Sequence, residues 1–311
     1  MNVGFIGLGR MGRPMAINLA RADVDLVVFD SNPDASAGLL GLGAKVASSV
    51  ADLAGTADVV FTSLPGPAQV EAVILGSGGI LEHARPGLVL FDLSTSSASL
   101  AQRIDEAFRA RGCAMLDAPV SGGPAGATSG ELSLWVGGDR EVYDRHEDLL
   151  RIIGKSPRHV GDIGMGSVTK LTNNLLGYMI MQSLAEAFSM ACKAGMDPLD
   201  LWEALKPGLV GRRSPLDMLV AQFLPGKYEP PAFVLDGARK DVVLANDLAK
   251  ELGVPLHIGA LTLAEMNEAL VKGYGKQDSR AFLKVQLERA GVTVAVDQER
   301  VDRAVRKFGQ A

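Results

Sequence analysis

The chain has 311 residues, 47% of them hydrophobic and 22% charged, with a formal net charge of -5 and a pI near 5.5. That length accommodates two domains at roughly 100–200 residues each, and the composition is that of a globular protein with a full core. The acidic balance excludes the basic face of a nucleic-acid binder, and no run of like charges marks a disordered tail or a polybasic membrane anchor.

In chain order, short apolar runs predict strands over residues 3–6, 25–29, 59–62, 89–92, 114–117 and 132–137. Amphipathic stretches over 13–21, 33–40, 67–74 and 97–111 separate the first five. Strands alternating with helices at this spacing predict βαβ units and a parallel, doubly wound α/β sheet. The runs are apolar at successive positions, as a sheet covered on both faces requires. The character changes after Asp162. A long helix is expected over 166–194, ending at Gly195, and further helices over 197–205, 238–252, 256–272, 280–289 and 298–307. The expected organisation is therefore a Rossmann-type domain over 1–163 and an all-helical domain over 164–311, joined by the long helix.

Met1-Asn2 leads straight into the first strand with no basic stretch before it, so no signal peptide is expected and the cytoplasm is the expected compartment. The longest apolar stretch, 175–191, is interrupted by Gln182 and Glu186, which argues against a membrane span. Cys113 and Cys192 read as reduced, buried thiols. The four histidines, His83, His146, His159 and His257, lie far apart without paired-ligand spacing, and no metal site is expected.

Gly7-Leu8-Gly9-Arg10-Met11-Gly12 fits the G-x-G-x-x-G pattern, with a predicted strand before it and a predicted helix after it. The first glycine permits the tight turn and the second lets backbone approach a pyrophosphate. The third allows helix and strand to pack closely, with the helix N-terminus facing the anion. A purely structural turn is the alternative. Asp30 closes the second strand, 18 residues after Gly12, where an acid accepts hydrogen bonds from the adenosine ribose. Its charge repels a 2′-phosphate, and Ser31-Asn32-Pro33-Asp34 offers no arginine, so NAD is expected over NADP. A turn role for Asp30 is compatible with this.

Two further segments carry candidate chemistry. Ser121-Gly122-Gly123 follows a strand end and presents a hydroxyl with unobstructed backbone N–H groups, suited to a carboxylate, although such a segment also serves as a plain turn. Lys170 lies early in the long helix, with Asn174 one turn on. The apolar neighbours Leu171, Leu175, Leu176 and Met179 predict a largely buried helix, in which a lysine requires explanation. A solvated lysine is the alternative; a cleft-facing one loses solvation and shifts toward a useful pKa.

The opening from Gly4 through Gly12 to Arg13-Pro14-Met15-Ala16-Ile17-Asn18-Leu19 resembles that of the β-hydroxyacid dehydrogenases. Three more motifs follow in that family's order: Asp117-Ala118-Pro119-Val120-Ser121-Gly122-Gly123, then Gly164-Met165-Gly166 with Lys170 and Asn173-Asn174, then Lys240-Asp241. The resemblance implies interconversion of a small 3-hydroxy acid and its semialdehyde by hydride transfer, of the 3-hydroxyisobutyrate dehydrogenase or tartronate semialdehyde reductase type. It implies Lys170 as catalytic acid–base, Asn174 as substrate-orienting residue, and Ser121, Gly122 and Gly123 as the carboxylate grip. It also places Leu64, Pro65 and Gln69 near the cofactor's ribose and nicotinamide portion, Thr95 against the nicotinamide, Lys240 near cofactor and substrate, and Phe233 on the cleft wall.

The chain departs from the family pattern at Ser96-Ser97-Ala98, where a proline is common, and it runs about 20 residues past the usual end, which suits a subunit contact. Gly211-Arg212-Arg213-Ser214 is basic and suits either a second acidic group on the substrate or a solvated face. The expected partners are a small hydroxy acid and further copies of the chain, as a dimer or tetramer, with neither nucleic acid nor membrane. Competing readings are imine reduction on the same architecture, against which Lys170 argues, 6-phosphogluconate-like decarboxylation, for which the helical part is too small, and a non-catalytic NAD(P)-binding scaffold.

Overall fold

The computed structural model describes residues 1–22 and 24–308. Contacts divide it into two compact units, Met1–Leu176 and Gly177–Ala311.

The first unit is built on nine strands: β1 (Asn2–Ile6), β2 (Asp25–Phe29), β3 (Lys45–Val46), β4 (Val59–Thr62), β5 (Val89–Asp92), β6 (Ala114–Asp117), β7 (Val120–Ser121), β8 (Ser133–Gly137) and β9 (Ser156–Gly161). They lie in the order β3-β2-β1-β4-β5-β6-β8-β7, with β9 paired to β8. The first six are parallel to one another. Alternation along each strand sends side chains to opposite faces. Phe5, Phe61 and Phe91 stack on one face, with successive ring centroids 6.0 and 5.5 Å apart. Ile6, Val60, Leu90 and Met115 build the core on the other face. Helices cover both faces: α1 (Gly12–Arg21), α2 (Ala37–Leu40), α3 (Val50–Thr56), α4 (Pro67–Leu75), α5 (Ile80–His83), α6 (Ala98–Arg109), α7 (Gly123–Ser129) and α8 (Arg140–Ile153). The long helix α9 (Met165–Lys193) begins in this unit.

In the second unit α9 ends at Gly195, whose φ of 101° is open to glycine without strain. The Gly195 N–H donates to the Cys192 carbonyl and the Met196 N–H to that of Ala191, a Schellman-type end. Among the described residues six helices follow: α10 (Pro198–Leu205), α11 (Leu209–Arg212), α12 (Leu235–Glu251), α13 (His257–Val271), α14 (Leu283–Ala290) and α15 (Gln298–Phe308). Leu235, Met266, Ala269 and Val285 form its core. Glu186, on α9, accepts hydrogen bonds from the Ile258 and Gly259 N–H groups and so caps the start of α13.

The expected Rossmann-type architecture followed by helices is present, with three corrections. The sheet is mixed, because β8 runs antiparallel to both β6 and β7. Residues 123–129, where no helix was expected, form one closed by Gly130 in the left-handed region. The expectation of a largely buried α9 fails: Leu171, Leu175, Leu176 and Met179 are 43–60% exposed. An apolar neighbourhood along the chain does not by itself supply a partner surface. By length and hydropathy alone α9 is apolar enough to cross a membrane, yet Glu186 within it accepts hydrogen bonds from the start of α13.

Candidate active site

The parallel strands end level with one another: Ile6 pairs with Phe29 and Thr62, Thr62 with Asp92, and Asp92 with Asp117. Loops leaving these carboxyl ends converge on a cleft of about 460 Å³, in the position where open α/β sheets bind ligands. Its lining includes Gly9, Arg10, Met11 and Gly12 after β1, Leu64 and Pro65 after β4, Thr95 after β5, Gly123 after β7, and Lys170 from α9. Nine of the residues expected from the sequence thus share one cavity within the first unit. Ser63, Leu93, Ser94 and Val120 also line it and were not singled out beforehand.

The glycine-rich turn has the features a dinucleotide phosphate requires. A Cβ on Gly12 would overlap the Gly7 carbonyl oxygen, so only glycine lets α1 start so close to β1. Gly7 has a φ of 94°, and a Cβ there would run into the Ser63 carbonyl. Gly9 is different: nothing lies within 4 Å of its absent Cβ, which leaves open space beside the cleft for an approaching phosphate. Leu8 lies beneath, buried in the core. Asp30 accepts a hydrogen bond from the Leu8 N–H at 2.6 Å and another from the Asn32 N–H at 2.8 Å. A carboxylate has about four lone-pair sites, so Asp30 shapes the turn and keeps acceptor capacity for ribose hydroxyls. These residues fit a nicotinamide dinucleotide.

Other expected residues of the first unit stand outside the cleft lining. Gln69 is exposed on α4. Ser121 is half-buried at the end of β7, and Gly122 follows with a φ of 134°. Asn174 sits one turn beyond Lys170, half-buried, and its side-chain oxygen accepts a 3.4 Å contact from Asn173. Phe233 and Lys240 belong to the second unit. Phe233 packs over Gly237, and the Lys240 ammonium lies 3.4 Å from the Asp241 carboxylate.

Lys170 is half-buried, and the loss of water around its ammonium lowers its pKa from the ordinary lysine value. Two buried carboxylates stand at neighbouring strand ends. Burial pushes the Asp92 carboxyl up to about 6, against hydrogen bonds from Ser94 and from the Thr62 hydroxyl at 2.8 Å. The Ser94 hydroxyl in turn accepts from the Leu64 N–H at 2.9 Å, so Asp92 organises the two loops that present Leu64 and Thr95. Burial likewise raises Asp117. A trace of both acids was visible in the sequence as a single polar residue closing an apolar strand, in Val-Leu-Phe-Asp and Ala-Met-Leu-Asp.

Because the folded Asp92 binds its proton more tightly than the unfolded chain, the resulting stabilisation is full in acid and is lost as pH rises from about 4 through about 6. At neutral pH the ionised group costs on the order of 3 kcal/mol. Asp92→Asn should therefore raise the melting temperature relative to the parent at pH 7–8 and lose that advantage near pH 4. Thermal unfolding across this pH range checks it; a difference independent of pH counts against a buried, titrating Asp92.

Among the described residues, no group of three or more His, Cys, Asp or Glu side chains could hold a metal ion. Cys113 is buried and Cys192 exposed, so the expectation of two buried thiols holds only for the first.

The fold and this cleft are those of a protein that binds a nicotinamide dinucleotide, and its relatives make it an NAD(P)-dependent dehydrogenase acting on a CH–OH group. Residues 2–165 match the model of the NAD-binding domain of 6-phosphogluconate dehydrogenase. Residues 164–286 match that of the NAD-binding region of NADP-dependent 3-hydroxyisobutyrate dehydrogenase. The chain is 35% identical to 2-(hydroxymethyl)glutarate dehydrogenase of Eubacterium barkeri, over 96% of this chain and 99% of that one. It is 37% identical to the NAD-dependent L-serine dehydrogenase of Pseudomonas aeruginosa, over 91% and 97%. The crystal structure of 3-hydroxyisobutyrate dehydrogenase from Salmonella typhimurium superposes with a TM-score of 0.59 at 32% identity, covering 92% of this chain and 99% of that one. The chain belongs to the β-hydroxyacid dehydrogenase family.

Proposed function

We propose that the protein oxidises a small acid bearing a primary alcohol β to its carboxylate to the corresponding semialdehyde, reversibly, with NAD as the preferred cofactor. The observation that carries this is Lys170, half-buried with a lowered pKa, in the same cleft as the glycine-rich turn. The named substrates of the three relatives share a motif that supports the class: 2-(hydroxymethyl)glutarate, L-serine and 3-hydroxyisobutyrate each place a hydroxymethyl group next to the carboxylate-bearing carbon. The preference for NAD rests on Asp30, whose charge disfavours a 2′-phosphate.

In this reading Ser121, Gly122 and Gly123 hold the carboxylate, and Asn174 hydrogen-bonds a substrate oxygen. Lys170, as the neutral amine, takes the hydroxyl proton during oxidation and, as ammonium, returns it to the carbonyl oxygen during reduction. The dinucleotide, when bound, supplies the hydride acceptor or donor, while the protein contributes orientation and proton transfer. Arg10 and Met11 flank the phosphate turn, Leu64, Pro65 and Thr95 shape the nicotinamide side, and Gln69 adds to the cofactor contacts; a cofactor role for Phe233 and Lys240 rests on the family resemblance alone. A cytoplasmic location belongs to the same reading, as does a homo-oligomer, which the exposed apolar side chains of α9 favour.

A panel of hydroxy acids assayed side by side with NAD and NADP tests the proposal. Turnover is expected for acids with the β-hydroxymethyl motif, with a higher kcat/KM for NAD. Activity confined to 2-hydroxy acids, or to none of the panel, overturns it.

A further inference from the structure

We infer that Asp117 is the positioning residue that sets Lys170 against the substrate grip, an inference that rests on the proton-transfer reading of Lys170. The two carboxylate oxygens of Asp117 are divided between two donors at the start of α9: the Gly164 N–H at 2.7 Å and the Ser167 N–H at 2.6 Å. The first N–H groups of a helix have no partner within it, and a carboxylate there is also favoured by the helix dipole. Asp117 thus caps α9 from a different strand, 50 residues away in sequence from Ser167. Lys170 follows Ser167 within one helical turn, so the height and rotation of its stem are set by this anchor.

The same residue begins the substrate segment. Its backbone closes β6, pairs with Gly137 of β8 and leads through Ala118, Pro119 and Val120 to Ser121. One residue therefore ties the proton-transfer group by its side chain and the carboxylate grip by its main chain. The packing leaves no slack. A Cβ on Gly166 would overlap the carbonyl oxygens of Asp117 and Trp135, and one on Gly137 would strike the Asp117 carboxylate. Asp117 is only 2% exposed, and Ser167, which meets it, is 1% exposed.

Asp117→Asn is the test. An amide retains one acceptor and turns an N–H₂ toward the second donor, so one N–H at the helix start loses its partner. The expected result is a fall in kcat of about 100-fold, the scale of a misplacement near 1 Å, with the KM for NAD changed by no more than about twofold because the glycine-rich turn lies on β1. With Lys170 released from its partly dry setting, the alkaline rise of kcat/KM for oxidation should also move to higher pH, a change that a loss of stability alone does not produce. Asp117→Ser, smaller and still an acceptor, serves as the second variant and should behave likewise. A parent-like kcat and pH profile in either folded variant overturns the inference. So does failure of both to fold, which would make the carboxylate a structural element only. Lys170→Ala measured in parallel separates the two ideas: if it retains activity, the reading of Lys170 fails, whereas if it is inactive while Asp117→Asn is normal, only the positioning role fails.

Discussion

Lys170→Ala should fold, bind NADH with near-parent affinity, and lose about 10²–10⁴-fold in kcat, the usual contribution of a positioned acid–base group. Fluorescence titration of NADH and steady-state turnover give the two numbers. The pH dependence is opposite in the two directions. Oxidation needs the neutral amine, so kcat/KM for the hydroxy acid should rise with pH and level off above the Lys170 pKa, which burial holds below 10.5. Reduction needs the ammonium, so its kcat/KM should fall as pH rises through the same value. Lys170→Arg keeps the charge but cannot give up its proton at accessible pH, and should be as poor as the alanine variant in oxidation. Parent-like turnover in either variant would remove the acid–base role.

The paired variants Gly12→Ala and Gly9→Ala should separate folding from cofactor binding. At Gly12 the new methyl overlaps the Gly7 carbonyl and crowds the Phe5 ring, so α1 must move away from β1. Overpacking of this kind costs about 1–3 kcal/mol of stability, and the displaced helix start should abolish measurable NAD binding. At Gly9 the methyl meets nothing within 4 Å, so the melting temperature should stay at the parent value. It nevertheless projects beside the cleft where the pyrophosphate must approach, and NAD affinity should fall at least about tenfold, or 1.4 kcal/mol. Calorimetry and NADH titration on both proteins decide the matter. Parent-like NAD binding by Gly9→Ala would mean that this turn does not receive the phosphates.

Much of the sheet was legible because its strands are buried on both faces and read as uninterrupted apolar runs, as in Val-Val-Phe-Thr over 59–62 and Val-Leu-Phe-Asp over 89–92. The pieces that escaped are those whose apolar signal is weak. β3 is two residues long with both exposed, and β9 begins Ser-Pro-Arg-His. α8 did carry readable marks, namely Asp139 as its N-cap and Val142, Tyr143, Leu149, Leu150 and Ile153 buried at helical spacing. The antiparallel return of β8 depends on Asp117 meeting Gly137, a pairing no local pattern announces. At the site, the glycine turn was readable from its place between a strand and a helix, whereas Lys170 was readable only through the family motif, since the burial expected around it is absent. Asp92 and Asp117 were harder to place: a strand-terminal acid looks like a turn residue until its hydrogen-bond partners, 30 and 50 residues away, are known.

The level finish of the five parallel strands β1, β2, β4, β5 and β6 limits where this protein can change length. Removing one residue inside Val59–Thr62 or Val89–Asp92 would shorten that strand by about 3.3 Å and turn its remaining side chains to the wrong face. The rim that gathers the reacting groups would then be broken by one step. At the opposite end of the sheet, the glycine-bearing connections at 41–43 and 110–112 lead into the starts of β3 and β6 and contribute no residue to the cleft lining. Insertions and deletions between relatives can accumulate there while the chemistry is retained, and selection for a new acid must act through substitutions on the rim itself.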